Sequence, residues 1–284
     1  MVQNSNTGLC DYTFNPWYGC TKISPGCDSC WGEIWAKRRG LIEWGGERRL
    51  AGHVKWQQPF KWARRARETN MRPKVFCASL GDVFDDQVPP SWREDLWSMI
   101  RATPELDWML LTKRPENFVR YGPPDWGDGW PHVMLGVSVE DERYVHRIST
   151  LLRVAGDNAR VFISYEPVLG PIGLLSDVWR PGDRPRLSWL ICGGESGAGA
   201  RPVHPDWIRA ARDQCVKFGV SFFFRQWGEW ALLDPRQTGR DGKTVTCHRW
   251  PDGTHMFRVG TKLAGEELDG RLWRQMPQQG AALR

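Results

Sequence analysis

The sequence predicts an α/β fold: a partial or full (β/α) barrel of the TIM type, with six to eight mainly parallel strands and an irregular C-terminal extension. Three observations predict it. Short, nearly continuous apolar runs alternate with amphipathic stretches, the pattern of strands buried on both faces of a parallel sheet. Strand and helix signals recur at roughly the 25–30-residue interval of βα units, whose right-handed crossovers curl a series into a barrel or a doubly wound sheet. The length of 284 residues suits one barrel of ordinary size.

Taken in order, the strand runs are KVFCASL (74–80), DWMLLTK (107–113), HVMLGVSV (132–139), RVFISYEP (160–167), LSWLICGG (187–194) and VSFFFRQW (220–227). A helix is expected from Trp31 to Arg39. Another spans 91–102, with Ser91 as N-cap and Glu94 completing a capping box. A third covers 141–155, with Val145, Ile148, Leu151 and Leu152 on one face. A fourth covers 204–219 and stops at Gly219, a natural C′ residue. YGPPDWGDGWP (121–131) reads as a rigid loop. Residues 1–230 form the barrel domain; the turn-rich, polar stretch 231–284 is expected to pack on it as an extension.

Composition narrows the function classes. Hydrophobic residues make up 40% and charged residues 25%, which excludes wholesale disorder. No stretch approaches the twenty apolar residues of a membrane span, and MVQNSNTGLC lacks the pattern of a signal peptide, so a cytoplasmic protein without a membrane partner is expected. The net charge of +6 is uneven. Residues 37–74 carry twelve Lys/Arg against Glu43, Glu47 and Glu68, with Trp44, Trp56, Phe60 and Trp62 among them. Such a block serves either a nucleic-acid surface, where cations meet phosphates and rings stack on bases, or a solvated helical face anchored by its aromatics.

The chemistry concentrates in two places. One is the set of strand ends: Ser79 and Asp82; Lys113 and Arg114; Ser138 and Glu140; Glu166; Gly193, Gly194 and Glu195; Arg225 and Gln226. In βα barrels these ends surround the active site. The other is NPWYGCTKISPGCDSCWGEIWAKR (15–38), in which Cys20, Cys27 and Cys30 are spaced C-x6-C-x2-C and Ser24-Pro25-Gly26 turns the chain back. Cys77, Cys192 and Cys215 sit in apolar segments as core residues. Three thiolates on one short loop call for a soft metal or a cluster. Zinc needs a fourth ligand, from Cys10 or from Cys247 and His248. A 4Fe–4S cluster on three cysteines keeps one iron open.

The ordered blocks of the chain resemble a phage-associated family of unknown function marked by GC-x3-SPGC-x2-C and regarded as similar to radical SAM enzymes. The blocks are NPWYGCTKISPGCDSC, SLGDVF (79–84), LLTKRPE (110–116), GVSVED (136–141), YEPVLGPI (165–172), ICGGESGAGARP (191–202), FFRQWGEW (223–230) and VGTKLAGEELDGR (259–271). Phage origin would place the protein in host cytoplasm. The spacing departs from the usual C-x3-C-x2-C, and Gly193-Gly194-Glu195 comes too late to be given the amino-group role of an early GGE. The branch that repairs spore photoproduct in DNA is similar at three strand ends, and that resemblance implies Ser79, Lys113 and Ser138 as contacts of S-adenosyl-L-methionine (SAM).

The resemblance further implies a 4Fe–4S cluster on Cys20, Cys27 and Cys30, reduced by an electron donor, and a 5′-deoxyadenosyl radical made from SAM. Asp82, Glu140 or Glu166 would accept from the ribose or amino group. Glu166, Glu195, Arg225 and Gln226 would face the substrate, or else close the barrel as a ring of ion pairs. With the basic block, the expected substrate is a nucleic-acid base or nucleotide. The competing readings are a zinc-stabilised nucleic-acid-binding protein without catalysis, and a radical SAM enzyme acting on a peptide or small metabolite.

Overall fold

The computed structural model describes residues 8–177, 187–232 and 246–277. The chain opens with β1 (Tyr12–Phe14) and β2 (Trp17–Tyr18), passes the cysteine loop, and enters α1 (Trp31–Arg38). Next come β3 (Arg49–Leu50), which pairs with β2, and the short helices α2 (His53–Trp56) and α3 (Gln58–Thr69). From there strand and helix alternate up to β7: β4 (Lys74–Cys77), α4 (Pro90–Arg101), β5 (Asp107–Thr112), α5 (Phe118–Tyr121), β6 (Val133–Ser138), α6 (His146–Val154) and β7 (Arg160–Tyr165); then come a 3-10 turn at Leu175–Asp177, β8 (Leu187–Gly193), α7 (Pro205–Phe218) and β9 (Ser221–Gln226).

Seven strands form one sheet in the order β1-β4-β5-β6-β7-β8-β9, every pair parallel, with helices around it. This is a partial (β/α) barrel. Strand parity explains the near-continuous apolar runs. Val75, Trp108, Leu110, Leu135, Ile163, Leu190 and Phe222 face the helices in the main core. Their neighbours Met109, Met134, Phe162, Trp189, Ile191 and Phe223 face the opposite way and form a second cluster inside the curved sheet. Gly136 makes room there, since a Cβ would lie 2.1 Å from the Phe162 ring.

Beyond the sheet, β10 (Trp230–Ala231), β11 (Cys247–Arg249) and β12 (His255–Arg258) form a small antiparallel sheet. Then follow α8 (Thr261–Ala264) and the hairpin β13 (Glu267–Leu268) and β14 (Arg271–Leu272). Residues 273–276 run along β9: Phe224 N donates to Trp273 O and Gln275 N to Phe222 O. Part of the expected extension, 233–245 and 278–284, lies outside the described residues.

Three local expectations are corrected. Helix α4 starts at Pro90 with Pro89 at its N-cap, so Ser91 lies in the first turn and forms no capping box. The 141–155 stretch divides into a 3-10 turn at Glu142–Tyr144, capped by the Asp141 side chain on Arg143 N, and α6. Trp62 does not offer a free stacking face: it lies on Tyr12 at 4.4 Å with the rings 2° from parallel.

Candidate active site

The cysteine loop leaves β2 and crosses the C-terminal end of the sheet. Its turn is built residue by residue. Ser24 Oγ donates to Glu140 Oε1 (2.7 Å), and Pro25 begins a 3-10 turn ending at Cys27. Gly26 passes so close to Glu140 that a Cβ would sit 2.6 Å from its Cγ. Cys30 occupies the N-cap of α1, where the amides of Gly32 and Glu33 meet its sulfur. Gly32 brings that helix onto the Ser79 carbonyl, 3.0 Å from where its Cβ would be.

Buried arginines hold the loop to the barrel rim. Arg114 Nη1 lies 3.0 Å from Asp82 Oδ2 and 3.7 Å from Cys20 Sγ, and Nη2 donates to Thr21 O (2.8 Å). Burial opposes the Arg114 charge, but Asp82 and Cys20 beside it hold its pKa above the usual value. Arg48 pairs with Asp85 at 2.6 Å and donates to Thr21 Oγ1. On the far side, Arg201 pairs with Glu195 and donates to Pro25 O (2.7 Å). Arg48 and Arg201 are anchors that the sequence reading missed.

Cys20, Cys27 and Cys30 border one cavity of about 490 Å³, together with Ser79, Asp82, Lys113, Ser138, Glu166, Glu195, Arg225 and Gln226. One expected residue does not border it. Glu140 is fully buried, accepting from Ser24, from Arg147 Nη1 (2.9 Å) and from Lys113, so it neutralises the floor and does not meet a ribose. Asp82 reaches the cavity wall but is committed: it accepts from Thr112 Oγ1 (2.7 Å), Phe84 N and Lys113 N and pairs with Arg114. Glu195 is committed to Arg201 through both oxygens and the Arg201 amide. Gln226 donates to Ser196 Oγ (2.8 Å). Arg225 Nε stands 3.2 Å from Glu166 Oε1, near enough for an ion pair but not aligned as a hydrogen bond. Gly193 allows this, because a Cβ there would lie 2.6 Å from the same oxygen.

A second cavity of about 550 Å³ adjoins the first inside the curved sheet. Phe14, Tyr18, Trp35 and Phe162 line it, with Lys55 and Gln58 at its α2–α3 side. Trp31, Phe76, Ser79, Leu111, Ser164, Glu166 and Arg225 line both cavities. Ser164 was missed in the sequence; it shares the inward parity of Phe162, two residues earlier, and that alternation was the available signal.

The donor set fits a thiophilic group on three ligands. Burial, with Asp82 adding to it against Arg114, pushes the Cys20 thiol up to about 12; burial also raises Cys30, against the amides of Glu33 and Gly32. At neutral pH such thiols stay protonated unless a cation takes up the charge. None of the three fourth-ligand candidates borders the cavity: Cys10 lines the other one, and Cys247 and His248 lie on β11, where Cys247 is exposed. Among the described residues, the one group of three or more ligating side chains gathered within 4.8 Å is His204, Asp206 and Asp252, not the cysteines. Zinc at about 2.3 Å from each sulfur would hold tetrahedral thiolates roughly 3.8 Å apart. At least one pair of the three sulfurs lies more than 4.8 Å apart, wider than that spacing. No helix among the described residues is long and apolar enough to cross a membrane.

Over residues 4–277 the chain matches a protein family described as "Protein of unknown function (DUF5131)". No curated protein matches it in sequence. Among solved structures, a cysteine-to-alanine variant of spore photoproduct lyase is similar, with a TM-score of 0.51 and 14% identity over 93% of this chain and 72% of that one. A cysteine-to-serine variant of the same lyase gives a TM-score of 0.50, again at 14% identity, with the same coverage of both chains. At that identity the likeness is one of fold.

Proposed function

The chain belongs to this DUF5131 family of unknown function, and on that footing we propose that it is a radical SAM-type enzyme acting on a nucleic-acid base or nucleotide. The observation that carries the reading is the single cavity bordered by three cysteines and by Ser79, Lys113 and Ser138 from successive strand ends. A fold shared with spore photoproduct lyase supports it.

Cys20, Cys27 and Cys30 would hold a 4Fe–4S cluster, which when bound supplies the electron that cleaves SAM to methionine and a 5′-deoxyadenosyl radical. The chain's own residues bind, orient and shield. Lys113 meets the SAM carboxylate. It can leave Glu140 without stranding a buried charge, because Arg147 and Ser24 remain on that carboxylate. Ser79, held by Asn15, and Ser138 offer hydroxyls to the polar groups of SAM. The Glu166–Arg225 pair faces the substrate side.

Anaerobic reconstitution with iron and sulfide tests the reading. The expected product is brown, with about four irons per chain and an EPR signal in the reduced state that changes when SAM is added. Replacing Cys20, Cys27 or Cys30 with Ala removes the iron, whereas Cys77→Ala or Cys215→Ala keeps it. A colourless protein with stoichiometric zinc, or a full cluster in Cys27→Ala, refutes the assignment.

A further inference from the structure

The second cavity is larger than the first and shares a wall with it, yet no residue of the cysteine triad borders it. Its volume lies within the range of ligand pockets, and six aromatic side chains stand in its walls, Phe14, Tyr18, Trp31, Trp35, Phe76 and Phe162. A planar ring suits such walls, because stacking depends on flat faces and tolerates many heterocycles. The polar groups it shares with the first cavity, Ser79, Ser164, Glu166 and Arg225, put such a ring against the partition between the two.

Two further features lie at its mouth. On α1, Trp31 is 59% exposed and lines both cavities, an unusual setting for the largest side chain. Trp35, one turn on, lies 6.2 Å from it and tilted by 30°, and the Arg39 guanidinium sits 4.6 Å over the Trp35 ring. The other feature is a basic stripe. Lys55 and Gln58 line the cavity, and Lys61 and Arg65 follow Gln58 at i+3 and i+7 on the exposed face of α3, opposite buried Pro59, Ala63 and Ala66. Three other cations of the 37–74 block are spent structurally: Arg48 on Asp85, Arg67 on Glu105 and Arg72 on Asp107. The cations of the stripe are exposed.

A positive stripe leading to an aromatic chamber through a pair of tryptophans fits a polyanion with planar side groups. We propose that the second cavity receives one unstacked base of a single-stranded nucleic acid, whose backbone follows Lys55, Lys61 and Arg65 and whose neighbouring base stacks on Trp31 and Trp35. A base in a duplex is stacked and paired, so it reaches such a chamber only after extrusion, and single strands avoid that penalty. This deepens the proposed function by naming the form of its substrate and the place it occupies, and it rests on that reading only for the chemistry that follows binding.

Fluorescence anisotropy with labelled twelve-nucleotide DNA and RNA strands and the matching duplexes tests it on the chain as purified. The expected result is binding of at least one kind of single strand, DNA or RNA, at least tenfold tighter than its duplex. Trp31→Ala should weaken that binding about tenfold without lowering the thermal midpoint, since the ring is exposed. Lys61→Gln with Arg65→Gln should flatten the slope of log K against log salt by about 1.4, or roughly 0.7 per lost phosphate contact on a single strand. Equal affinity for strand and duplex, unchanged affinity in Trp31→Ala, or Trp31-dependent binding of an acidic peptide in place of strands overturns the inference. Iron content and SAM binding are read on the same samples. Strand binding without a cluster retires the enzyme reading alone, and a SAM-binding cluster without strand binding retires this inference alone.

Discussion

Arg114→Met is the sharpest test of how the cysteine loop is held. The substitution keeps most of the stem's volume and removes the guanidinium, which is 7% exposed beside an Asp82 that is equally buried. Three contacts vanish: the 3.0 Å pair to Asp82, the 2.8 Å donation to Thr21 O and the 3.7 Å approach to Cys20 Sγ. Stranding one member of a buried pair costs about 3–5 kcal/mol. Asp82 keeps Thr112 Oγ1, Phe84 N and Lys113 N as donors, so the lower end applies, about 3 kcal/mol. Urea unfolding at neutral pH should show that loss as a lower midpoint at unchanged slope. Adding Asp82→Asn removes the stranded charge and should restore about 1–2 kcal/mol, a coupling expected of residues in direct contact. A loss under about 1 kcal/mol in the single variant, or strict additivity in the double, would show that the pair does not bear on the loop.

Other outcomes follow from the same geometry. On the proposed role of Lys113, Lys113→Ala would remove a charge-assisted contact worth roughly 1.5–3 kcal/mol, so calorimetry should find SAM binding about ten- to a hundredfold weaker while iron content holds; unchanged affinity would exclude Lys113 as the carboxylate partner. Gly26→Ala drives a Cβ to 2.6 Å from Glu140 and should cost about 1–3 kcal/mol by urea unfolding, with lower iron retention; a variant as stable as the parent would show that the turn moves freely. Burial lowers the pKa of His132 below its ordinary 6.5, against its bond to Ile100 O. The unfolded chain therefore takes up a proton near pH 6.5 that the folded chain resists, and stability should fall as pH drops through that value and level off below the folded pKa. His132→Gln should show a shallower loss between pH 7 and 5 than the parent, and equal slopes would contradict the shift.

The sheet was legible because five of its seven strands bury consecutive residues on both faces, and β4 carries an apolar run although its Phe76 side is only half-buried. Tyr12–Phe14 escaped: three residues among polar neighbours give no run to read, although the strand pairs with β4 along its full length. The three cysteines stood out by their spacing, and one cavity borders them and eight more of the twelve residues named for the site, all but Glu140. What the sequence concealed was pairing. A carboxylate at a strand end reads the same whether it faces a ligand or an arginine, and Glu140, Glu195 and Asp82 all have arginine partners. Those partners, Arg147, Arg201 and Arg114, come from a helix face, a loop and a strand end, and only the folded chain brings them to the rim. Part of the basic block was concealed for the same reason, since Arg48 counts as surface charge in a sequence and is 1% exposed in the fold.

These pairs follow from the composition of the loop they hold. Between Cys20 and Cys30 the one large apolar side chain is Ile23, and it is 39% exposed. Hydrophobic burial is non-directional and roughly proportional to area, so it cannot position a segment with so little apolar surface. Directional contacts remain, and four of those from outside the loop arrive from charges anchored elsewhere: Arg48 and Arg114 at Thr21, Glu140 at Ser24, Arg201 at Pro25. Buried ion pairs add little net stability over apolar replacements of the same shape, so stability alone does not account for four of them around eleven residues. Position does. The proposed cluster would need its three thiols held to fractions of an ångström, and rigid guanidinium forks fixed at one end by carboxylates can supply that precision where a hydrophobic core could not reach.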